Sequence, residues 1–393
     1  MSQDIRDFVT PSCDLLALGE PTHREPAFGR IRNALLPRLT DCGFRSIALE
    51  TDRVAALAVD DYVQGGAGSL DAVMRAGFSH GFGDQEANRR LVGWMREYNR
   101  HRPPEERLAF HGFDAPMETM SAPGPRTFLE HARDYLGLQL DIAGLTGDDA
   151  RWSRPEAVLD AAMSPGATPE AERLRSIADD MLITLYAHAP QLIAATSRDE
   201  WVRARIHLTA GLGLLRYHRQ SARPLERSVR IAGLAAVRDA LMAQNLLEIR
   251  GVEEKRGATL VFAHNHHVKR SPSIWGEGDL AVEWSGAGAI VGALLGSRYV
   301  CVAGRLGRSE VLGLKDPAPD TYEGLLQSRI STWGLAAATA LPSARTRTDT
   351  RPEQAYFPLD RATLDAVDAV LHIGEASPPA SPASGRADRS VGP

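Results

Sequence analysis

The sequence is poor in cysteine, with three among its 393 residues. A disulfide framework needs more than this, which favours a reducing compartment. The N-terminal segment from Met1 to Asp7 has no basic region followed by an apolar one, as a secretory signal peptide would have. Together these absences predict a cytoplasmic protein.

Long hydrophobic runs and blocks of positive charge are absent as well. No apolar run reaches the roughly 18 residues of a membrane span, and no lysine- and arginine-rich block stands out in a chain of net charge -5. We therefore expect no membrane partner and no nucleic-acid partner. With 43% hydrophobic and 24% charged residues, the chain is predicted to bury a substantial core, as one large or two ordinary domains.

Several catalytic motifs are also missing. Gly77-Phe78-Ser79-His80-Gly81 matches G-x-S-x-G, but it lies in a glycine-rich stretch between two predicted helices and does not follow a predicted strand, so the strand-to-helix elbow of an α/β-hydrolase serine is not present. The sequence also has no Walker A loop for a nucleotide. Gly286-Ala287-Gly288 lacks the spacing of a dinucleotide fingerprint, which argues against a nicotinamide cofactor. No cysteine follows a predicted strand beside a histidine, so a thiolate nucleophile is not expected. We predict chemistry that uses no cofactor.

Four short apolar segments are present, and each runs directly into ionisable residues. They are 14–19 with Glu20 and His23, 45–49 with Glu50, 108–110 with His111 and Asp114, and 258–263 with His264 and His267. The carboxyl ends of parallel strands share one edge of a sheet, where α/β proteins bind ligands. We therefore expect these side chains to converge on one crevice, which favours an enzyme that uses acid/base chemistry.

The pattern along the chain predicts an α/β fold with a mainly parallel central sheet flanked by helices and a helical cap. Residues 1–122 and 251–372 are the two predicted parts of the α/β core, 123–250 the helical cap or insertion, and 373–393 a disordered tail. A helix is predicted after His23 because apolar residues recur at helical spacing, with a kink or early break at Pro37. Further helices are predicted at 52–64, 84–100, 168–188, 190–220 and 234–250, and a strand at 298–303.

Glu20 and His23 form the strongest candidate pair. They lie three residues apart at a strand-to-helix junction, where a carboxylate can orient an imidazole and raise its basicity. Alternatively, Glu20 caps the following helix. Glu50 leaves an apolar strand and would be costly to bury unpaired; its alternative is an ion pair with Arg53.

The run His264-Asn265-His266-His267 admits two interpretations. It lacks the clear ligand spacing of a zinc site, so a pair of neutral imidazoles that aid proton transfer is preferred and no metal is predicted. His264 and His267 share a face if a helical turn begins there, whereas His264 and His266 do so if the strand continues. His111 and Asp114 are weaker candidates, with an Asx-type turn as the alternative.

These residues also carry a resemblance to a known family. Leu18-Gly19-Glu20-Pro21-Thr22-His23, Arg30-Ile31-Arg32 and Ala48-Leu49-Glu50 resemble the opening of the erythromycin esterase family, with its L-G-E-x-T-H, R-x-R and A-x-E motifs. Similar later stretches are Trp94–Asn99, Gly112–Asp114, Arg238–Asn245 and Ala263–Val268. The resemblance spans about residues 15–305.

The resemblance implies that His23 is the general base that activates water for lactone hydrolysis. It implies a shared site lined by Glu20, Arg32, Glu50, His264 and His267, and a reaction without a covalent enzyme intermediate. The family often continues after the histidine with Gly-Thr-x-Glu, whereas this chain has Arg24-Glu25-Pro26-Ala27. The resemblance therefore extends to the acid/base residues and leaves the substrate open.

The leading hypothesis is hydrolysis of an ester or lactone in a bulky natural product, such as a macrolide or polyketide. His23 would deprotonate water, Glu20 would orient His23, and Arg32, His264 or His267 would stabilise the oxyanion or protonate the alkoxide. Residues expected to bind the substrate are His80, His111, Asp114, Arg238, Asp239 and His267.

Two rival functions use the same residues. One is a cofactor-free acid/base enzyme of natural-product biosynthesis, such as a cyclase, dehydratase or epimerase. The other is a protein that binds haem or a metal ion through the histidines. The sequence leaves the oligomeric state open.

Overall fold

A computed structural model of the protein describes residues 4–118, 120–277 and 280–376. Its centre is a seven-stranded sheet. The strands are β1 (Leu15–Glu20), β2 (Phe44–Asp52), β3 (Ala109–Asp114), β4 (Ala258–His264), β7 (Tyr299–Ser309), β8 (Trp333–Ala337) and β9 (Ala369–Ala376). Their order is β3-β2-β4-β1-β7-β9-β8; β8 is antiparallel to β9 and the other neighbours are parallel. The α/β fold and the mainly parallel sheet are confirmed.

The four strands singled out in the sequence are neighbours in this sheet. Glu20 pairs in register with His264, and Leu49 with Phe262, so β1, β2 and β4 end at the same level. The side chains of β1 are buried along its whole length, as expected for a parallel strand covered on both faces. The ionisable residues at these strand ends therefore meet at one edge.

Helix α1 (Ala27–Thr40) makes the crossover from β1 to β2. It continues through Pro37, so the predicted early break is wrong. Leu35, Leu36 and Leu39 are fully buried around the proline. Their packing stabilises the last turn and outweighs the one backbone hydrogen bond that proline cannot make.

The helices between β2 and β3 are α2 (Ala56–Val63), α3 (Leu70–Ala76) and α4 (Glu86–Asn99). The first and last match predicted helices, but α3 was not predicted because it lies in a glycine-rich stretch. Its first turn is capped by Ser69, whose hydroxyl accepts a hydrogen bond from the backbone N–H of Ala72.

From Arg126 to Glu253 the chain forms helices and no strands, as the pattern predicted. These helices are α5 (Arg126–Leu136), α6 (Ile142–Thr146), α7 (Ala150–Ser153), α8 (Glu156–Leu159), α9 (Pro169–Ala187), α10 (Ala189–Ala195), α11 (Arg198–Ser221) and α12 (Arg227–Glu253). Helices α5, α6, α7, α9, α10 and α11 share their own buried apolar cluster, which includes Leu129, Leu174 and Leu212. Helix α12 instead packs Met242 and Leu246 against the sheet, and so carries polar residues to its edge.

The last third returns to the sheet. Besides β4, β7, β8 and β9 it contains α13 (Asn265–Val268), the hairpin of β5 (Ser273–Glu277) and β6 (Leu280–Trp284), α14 (Ala287–Leu295), α15 (Tyr322–Gln327) and α16 (Arg361–Asp365). Residues 373–376, predicted as the start of the tail, instead complete β9, where Ile373 and Ala376 are buried. Residues 377–393 lie outside the described part of the chain.

Short 3-10 helices connect these elements. They are Ile5–Phe8, Phe82–Asp84, Pro104–Glu106, Ala161–Met163, Pro165–Ala167, Gly296–Arg298, Ala338–Ala340 and Pro352–Gln354. Among the described residues, no helix combines the length and the apolar composition needed to cross a membrane.

Candidate active site

Glu50 lies at the centre of the polar cluster at the sheet edge. Its side chain is buried, and its Oε2 accepts a hydrogen bond of 2.7 Å from the backbone N–H of His264. Its Oε1 faces three cationic or imidazole groups: His267 Nε2 at 3.3 Å, His23 Nε2 at 3.6 Å and Arg238 Nη2 at 3.6 Å. Burial opposes ionisation of Glu50, but His267 and His23 hold its pKa well below the usual range. The carboxylate is therefore an anion surrounded by positive groups.

The alternative pairing of Glu50 with Arg53 does not occur in this structure. Arg53 donates to the side-chain oxygen of Asn245 at 2.7 Å and pairs with Glu248 at 3.1 Å. Glu50 therefore stays available to the histidines.

His23 is held by Glu20 at the junction of β1 and α1. Nδ1 of the imidazole lies 2.8 Å from Glu20 Oε1, which leaves Nε2 directed towards Glu50. Burial disfavours the imidazolium, but the charge of Glu50 and the hydrogen bond to Glu20 outweigh it and raise the pKa of His23 to about 10. Glu20 is not the helix cap; the backbone N–H of Ala27 donates to Glu25 instead. This pair has the geometry expected from the sequence.

His267 is held in the same way by Asp239. Its Nδ1 lies 2.8 Å from Asp239 Oδ1, and its Nε2 faces Glu50. Burial opposes its charge, but Asp239 and Glu50 raise the pKa of His267 to about 10. Asp239 also accepts hydrogen bonds of 2.7 Å from Trp284 Nε1 and from the backbone N–H of Ala287. One carboxylate thus connects α12, α13, β6 and α14.

His264 differs from the other two histidines because it is neutral. Its Nδ1 accepts a hydrogen bond of 3.2 Å from the backbone N–H of His266, which assigns the ring proton to Nε2. Burial, with the neighbouring imidazoles of His266 and His23, lowers the pKa of His264 well below its ordinary value. Its ring centroid lies 5.3 Å from that of His23. A neutral N–H donor therefore lies beside a cationic imidazole.

The turn that carries His264 and His267 is anchored by Asn265. Its side chain donates to the carbonyl of Gly304 and accepts from the N–H of the same residue, both at 3.1 Å. Gly19 leaves the space for this contact, since a Cβ there would lie 2.2 Å from Asn265 Oδ1. The helical turn considered in the sequence is confirmed as α13, and it directs the ring of His267 and the backbone N–H of His264 to Glu50.

Three further predicted residues meet beside Glu50. Asp114, at the end of β3, accepts hydrogen bonds from Arg238 Nε at 3.1 Å and Nη2 at 2.5 Å, and lies 2.9 Å from His80 Nε2. Burial opposes its charge, but Arg238 and His80 lower the pKa of Asp114 to about 2. His80 has a backbone φ of 57°, an unusual conformation for a residue with a side chain. Such strain is concentrated at functional sites, and Glu118 fixes the ring from the other side at 2.9 Å.

His111 is not brought into this group. It lies three residues before Asp114 on β3, and its Nε2 lies 2.9 Å from Glu253 near the end of α12. Both residues line a separate cavity of about 730 Å³ between β3, α2, α11 and α12. Three residues of strand span about 10 Å, which is enough to separate the two positions.

Arg32 is buried between α1 and α4. Its guanidinium donates to Asn88 at 2.9 Å and to Asn33, and lies 4.8 Å from the centre of the Phe262 ring. Burial lowers the pKa of Arg32 to about 10, against the charge of Glu20. These hydrogen bonds connect the two helices, and the predicted oxyanion contact of Arg32 stays a prediction.

Several site residues were not predicted from the sequence. Phe82, Trp284 and Phe357 contribute rings around the histidines, and Glu118 holds the ring of His80. They come from connecting segments and a hairpin without a strand-end signal, so no local pattern marked them. Within the described ranges, no group of three or more His, Cys, Asp or Glu residues is arranged to hold a metal ion.

The fold and the cluster define an α/β protein with a group of buried carboxylates and imidazoles at the carboxyl edge of its sheet. Residues 39–387 match the family model described as erythromycin esterase, so the chain belongs to the erythromycin esterase family, a family of hydrolases. The matched range includes Glu50, Asp239 and the histidines of α13; Glu20 and His23 precede it. None of the curated proteins compared with the chain matches it.

Three solved structures share the fold. A protein from Bacillus cereus has a TM-score of 0.69 and 17% identity, covering 94% of this chain and 90% of its own. A histidine-to-asparagine mutant of the erythromycin esterase EreC, in its open conformation, has a TM-score of 0.65 and 19% identity, covering 93% and 91%. A succinoglycan biosynthesis protein has a TM-score of 0.63 and 16% identity, covering 93% and 88%.

Proposed function

We propose that this protein hydrolyses an ester or lactone of a bulky natural product, with His23 activating the attacking water. The observation that carries the proposal is the hydrogen bond between His23 Nδ1 and Glu20, 2.8 Å long, which leaves Nε2 facing the centre of the cluster. A base held in this way can reach a water molecule bound beside Glu50. Family membership supports the reaction class.

In the first step, the water oxygen attacks the carbonyl carbon while its proton passes to His23 Nε2. The imidazolium that forms is stabilised by Glu20 on one side and by Glu50 on the other. The same two carboxylates raise the pKa of His23 to about 10 against the effect of burial. The neutral ring is therefore a strong base, although only a small fraction of it is neutral at pH 7.

The negative charge then develops on the carbonyl oxygen. His264 presents its Nε2–H as a neutral donor next to His23, while His267 and Arg238 supply positive charge from the other side of Glu50. Donors fixed before the reaction stabilise such an oxyanion strongly. Collapse of the intermediate breaks the bond to the alkoxide, which takes the proton back from His23.

Direct attack by water requires no nucleophilic side chain. Burial raises the pKa of both the Cys13 and the Cys301 thiols to about 12, which keeps these sulfurs protonated. Glu20 and Glu50 are already engaged with imidazoles, which leaves water as the proposed nucleophile.

A single-turnover reaction in ¹⁸O-labelled water tests the proposal. Excess enzyme is mixed with a macrolactone or a simple ester in separate reactions, and mass spectrometry measures the mass of each acid product. The proposal predicts one labelled oxygen in the first product, whereas a carboxylate nucleophile would release an unlabelled one. A product isomerised or dehydrated without label would instead favour the acid/base enzymes of biosynthesis.

A further inference from the structure

Six rings, which include those of His23 and His264, form a continuous row at the site. Neighbouring centroids lie between 4.3 and 6.2 Å apart, as aromatic pairs in contact do. In order along the row, the rings are those of Phe82, His23, His264, Phe357, His266 and Trp284. We call these six residues the ring row.

The two phenylalanines hold the catalytic pair between them. Phe82 lies 5.0 Å from His23, and Phe357 lies 5.3 Å from His264, both measured between ring centroids. Phe82 belongs to the 3-10 turn before α4, and the backbone N–H of Phe357 donates to the carbonyl of Pro21 at 3.4 Å. Phe82 is therefore held next to α4, and Phe357 is held by the segment between β1 and α1 that also carries His23.

The ring row differs from ordinary core packing in two respects. Phe82, Phe357, His266 and Trp284 are only partly buried, whereas the rings of the protein core are fully buried. His266 is also uncharged, because burial and the nearby Lys269 lower its pKa to about 3. Apart from His23, the rings of the row are uncharged, and neighbouring rings meet at interplanar angles of 58–90°, while the Asp114–Arg238 side is ionised.

We infer that the ring row selects esters that carry a flat aromatic or conjugated ring close to the reacting carbonyl, over saturated esters of equal size. The inference rests on the proposed hydrolysis and specifies its substrate class. A planar ring stacks on aromatic faces or meets them edge-on, whereas a saturated ring presents only apolar surface. Phe82 and Phe357 would be the specificity-determining residues.

Matched esters test this selection. Benzyl acetate and cyclohexylmethyl acetate have the same connectivity, and the methylene group separates the ring from the ester, so their intrinsic reactivities are similar. The inference predicts that kcat/KM for the benzyl ester is about 2- to 10-fold higher, the range of an aromatic contact. Ethyl phenylacetate and ethyl cyclohexylacetate repeat the comparison on the acyl side.

The Phe357→Leu variant tests the source of the preference. Leucine keeps an apolar side chain but removes the ring. The ratio of kcat/KM for the aromatic ester to kcat/KM for the saturated ester should therefore fall towards one. Phe8→Leu is the matched control, since Phe8 lies before β1, at the opposite end of the strands, and the ratio should stay at the wild-type value. Phe82→Leu provides a second variant if Phe357→Leu does not fold.

Binding of unreactive analogues separates the two proposals. The ketones 4-phenyl-2-butanone and 4-cyclohexyl-2-butanone replace the ester oxygen of the acetates by a methylene group, and ligand-observed NMR measures their affinities. Preferential binding of the phenyl ketone that Phe357→Leu removes supports the ring row, even if neither ester is hydrolysed and the proposed hydrolysis fails. Equal rates and equal binding of aromatic and saturated compounds, or a preference that survives in both phenylalanine variants, would overturn the inference.

Discussion

His23 Nε2 lies 3.6 Å from Glu50 Oε1, while Nδ1 of the same ring lies 2.8 Å from Glu20 Oε1. The first distance is longer than an N–H···O hydrogen bond of about 2.7–3.2 Å and the second is within that range. One nitrogen of the ring is thus fixed and the other has a charged neighbour but no short bond. This asymmetry leaves Nε2 available to a water molecule.

The pH dependence of kcat/KM should reflect the raised pKa of His23. Only the neutral ring accepts a proton, and the carboxylates hold its pKa at about 10 against burial. We therefore expect kcat/KM to rise about tenfold per pH unit through the neutral range and to level near pH 10. Initial rates between pH 6 and 10.5 measure the profile, with circular dichroism as the control for folding. A plateau above about pH 6.5, or a rate that falls with pH, would argue against His23 as the base.

Replacing Glu20 by glutamine should shift this profile. Glu20→Gln keeps an acceptor for Nδ1 but removes the negative charge, so the imidazolium is less stable and the midpoint moves to lower pH. The maximal rate should fall as well, because the charge that develops on His23 is less well stabilised. Glu105→Gln, at an exposed position, is the control. An unchanged midpoint would contradict the pairing.

Glu50→Gln should destabilise the fold in a pH-dependent way. Removal of the central anion leaves His23, His267 and Arg238 facing each other, at a cost of about 3–5 kcal/mol for an uncompensated buried charge. The pKa values of both histidines are raised to about 10 in the folded protein. Their favourable interaction with Glu50 is therefore complete below about pH 6.5 and is lost as the pH rises towards 10.

Urea unfolding of Glu50→Gln and wild type at pH 7 and pH 10 measures this difference. The loss in free energy of unfolding should be larger at pH 7 than at pH 10. An equal loss at both pH values would show that the two histidines are not charged partners of Glu50.

Asp239→Asn should lower the pKa of His267. The amide oxygen of asparagine at the Oδ1 position keeps the hydrogen bond from the N–H of Ala287 and the contact with His267, whereas Trp284, which donates to Oδ2, loses its acceptor. Circular dichroism of the variant checks that it still folds. Without the negative charge, the pKa of His267 should move from about 10 towards its ordinary value near 6.5. An NMR titration of the imidazole resonances follows it directly. A titration that matches wild type would place the origin of the shift elsewhere.

Removal of metal ions should leave activity unchanged. The sequence has no clear ligand spacing, and the ring nitrogens of His23 and His267 are directed at carboxylates that favour their protonated, non-ligating forms. Rates before and after treatment with a chelator provide the measurement. A reversible loss restored by zinc or manganese would instead make Glu20, Glu50 and His264 ligand candidates.

The convergence of the strand-end residues was predictable from the sequence. Buried parallel strands are continuous apolar runs, and Glu20, Glu50, Asp114 and His264 come at their ends, where the topology of a parallel sheet brings them together. Arg238 and Asp239 were also among the substrate-binding residues expected from the sequence, and in the structure they pair with Asp114 and His267. The long helices were also predictable, because their apolar residues recur at helical spacing in the sequence.

Other features depend on contacts between distant segments, for which a single sequence has no local signal. Phe82 and Phe357 reach the histidines from connecting segments. The hydrogen bonds of Arg32 to α4 follow from helix packing and not from its R-x-R motif. The neutral state of His264 and the charged state of His267, three residues apart, arise from burial and from Asp239 in another helix.

The central claim is that His23 is the base that activates water, and the turnover of His23→Ala tests it most directly. Loss of a general base costs about a hundredfold or more, so kcat should fall by at least that factor while the circular dichroism spectrum stays unchanged. His101→Ala, at an exposed histidine, is the matched control and should keep wild-type turnover. If folded His23→Ala retains more than about a tenth of the wild-type kcat, His23 is not the base and the account is contradicted.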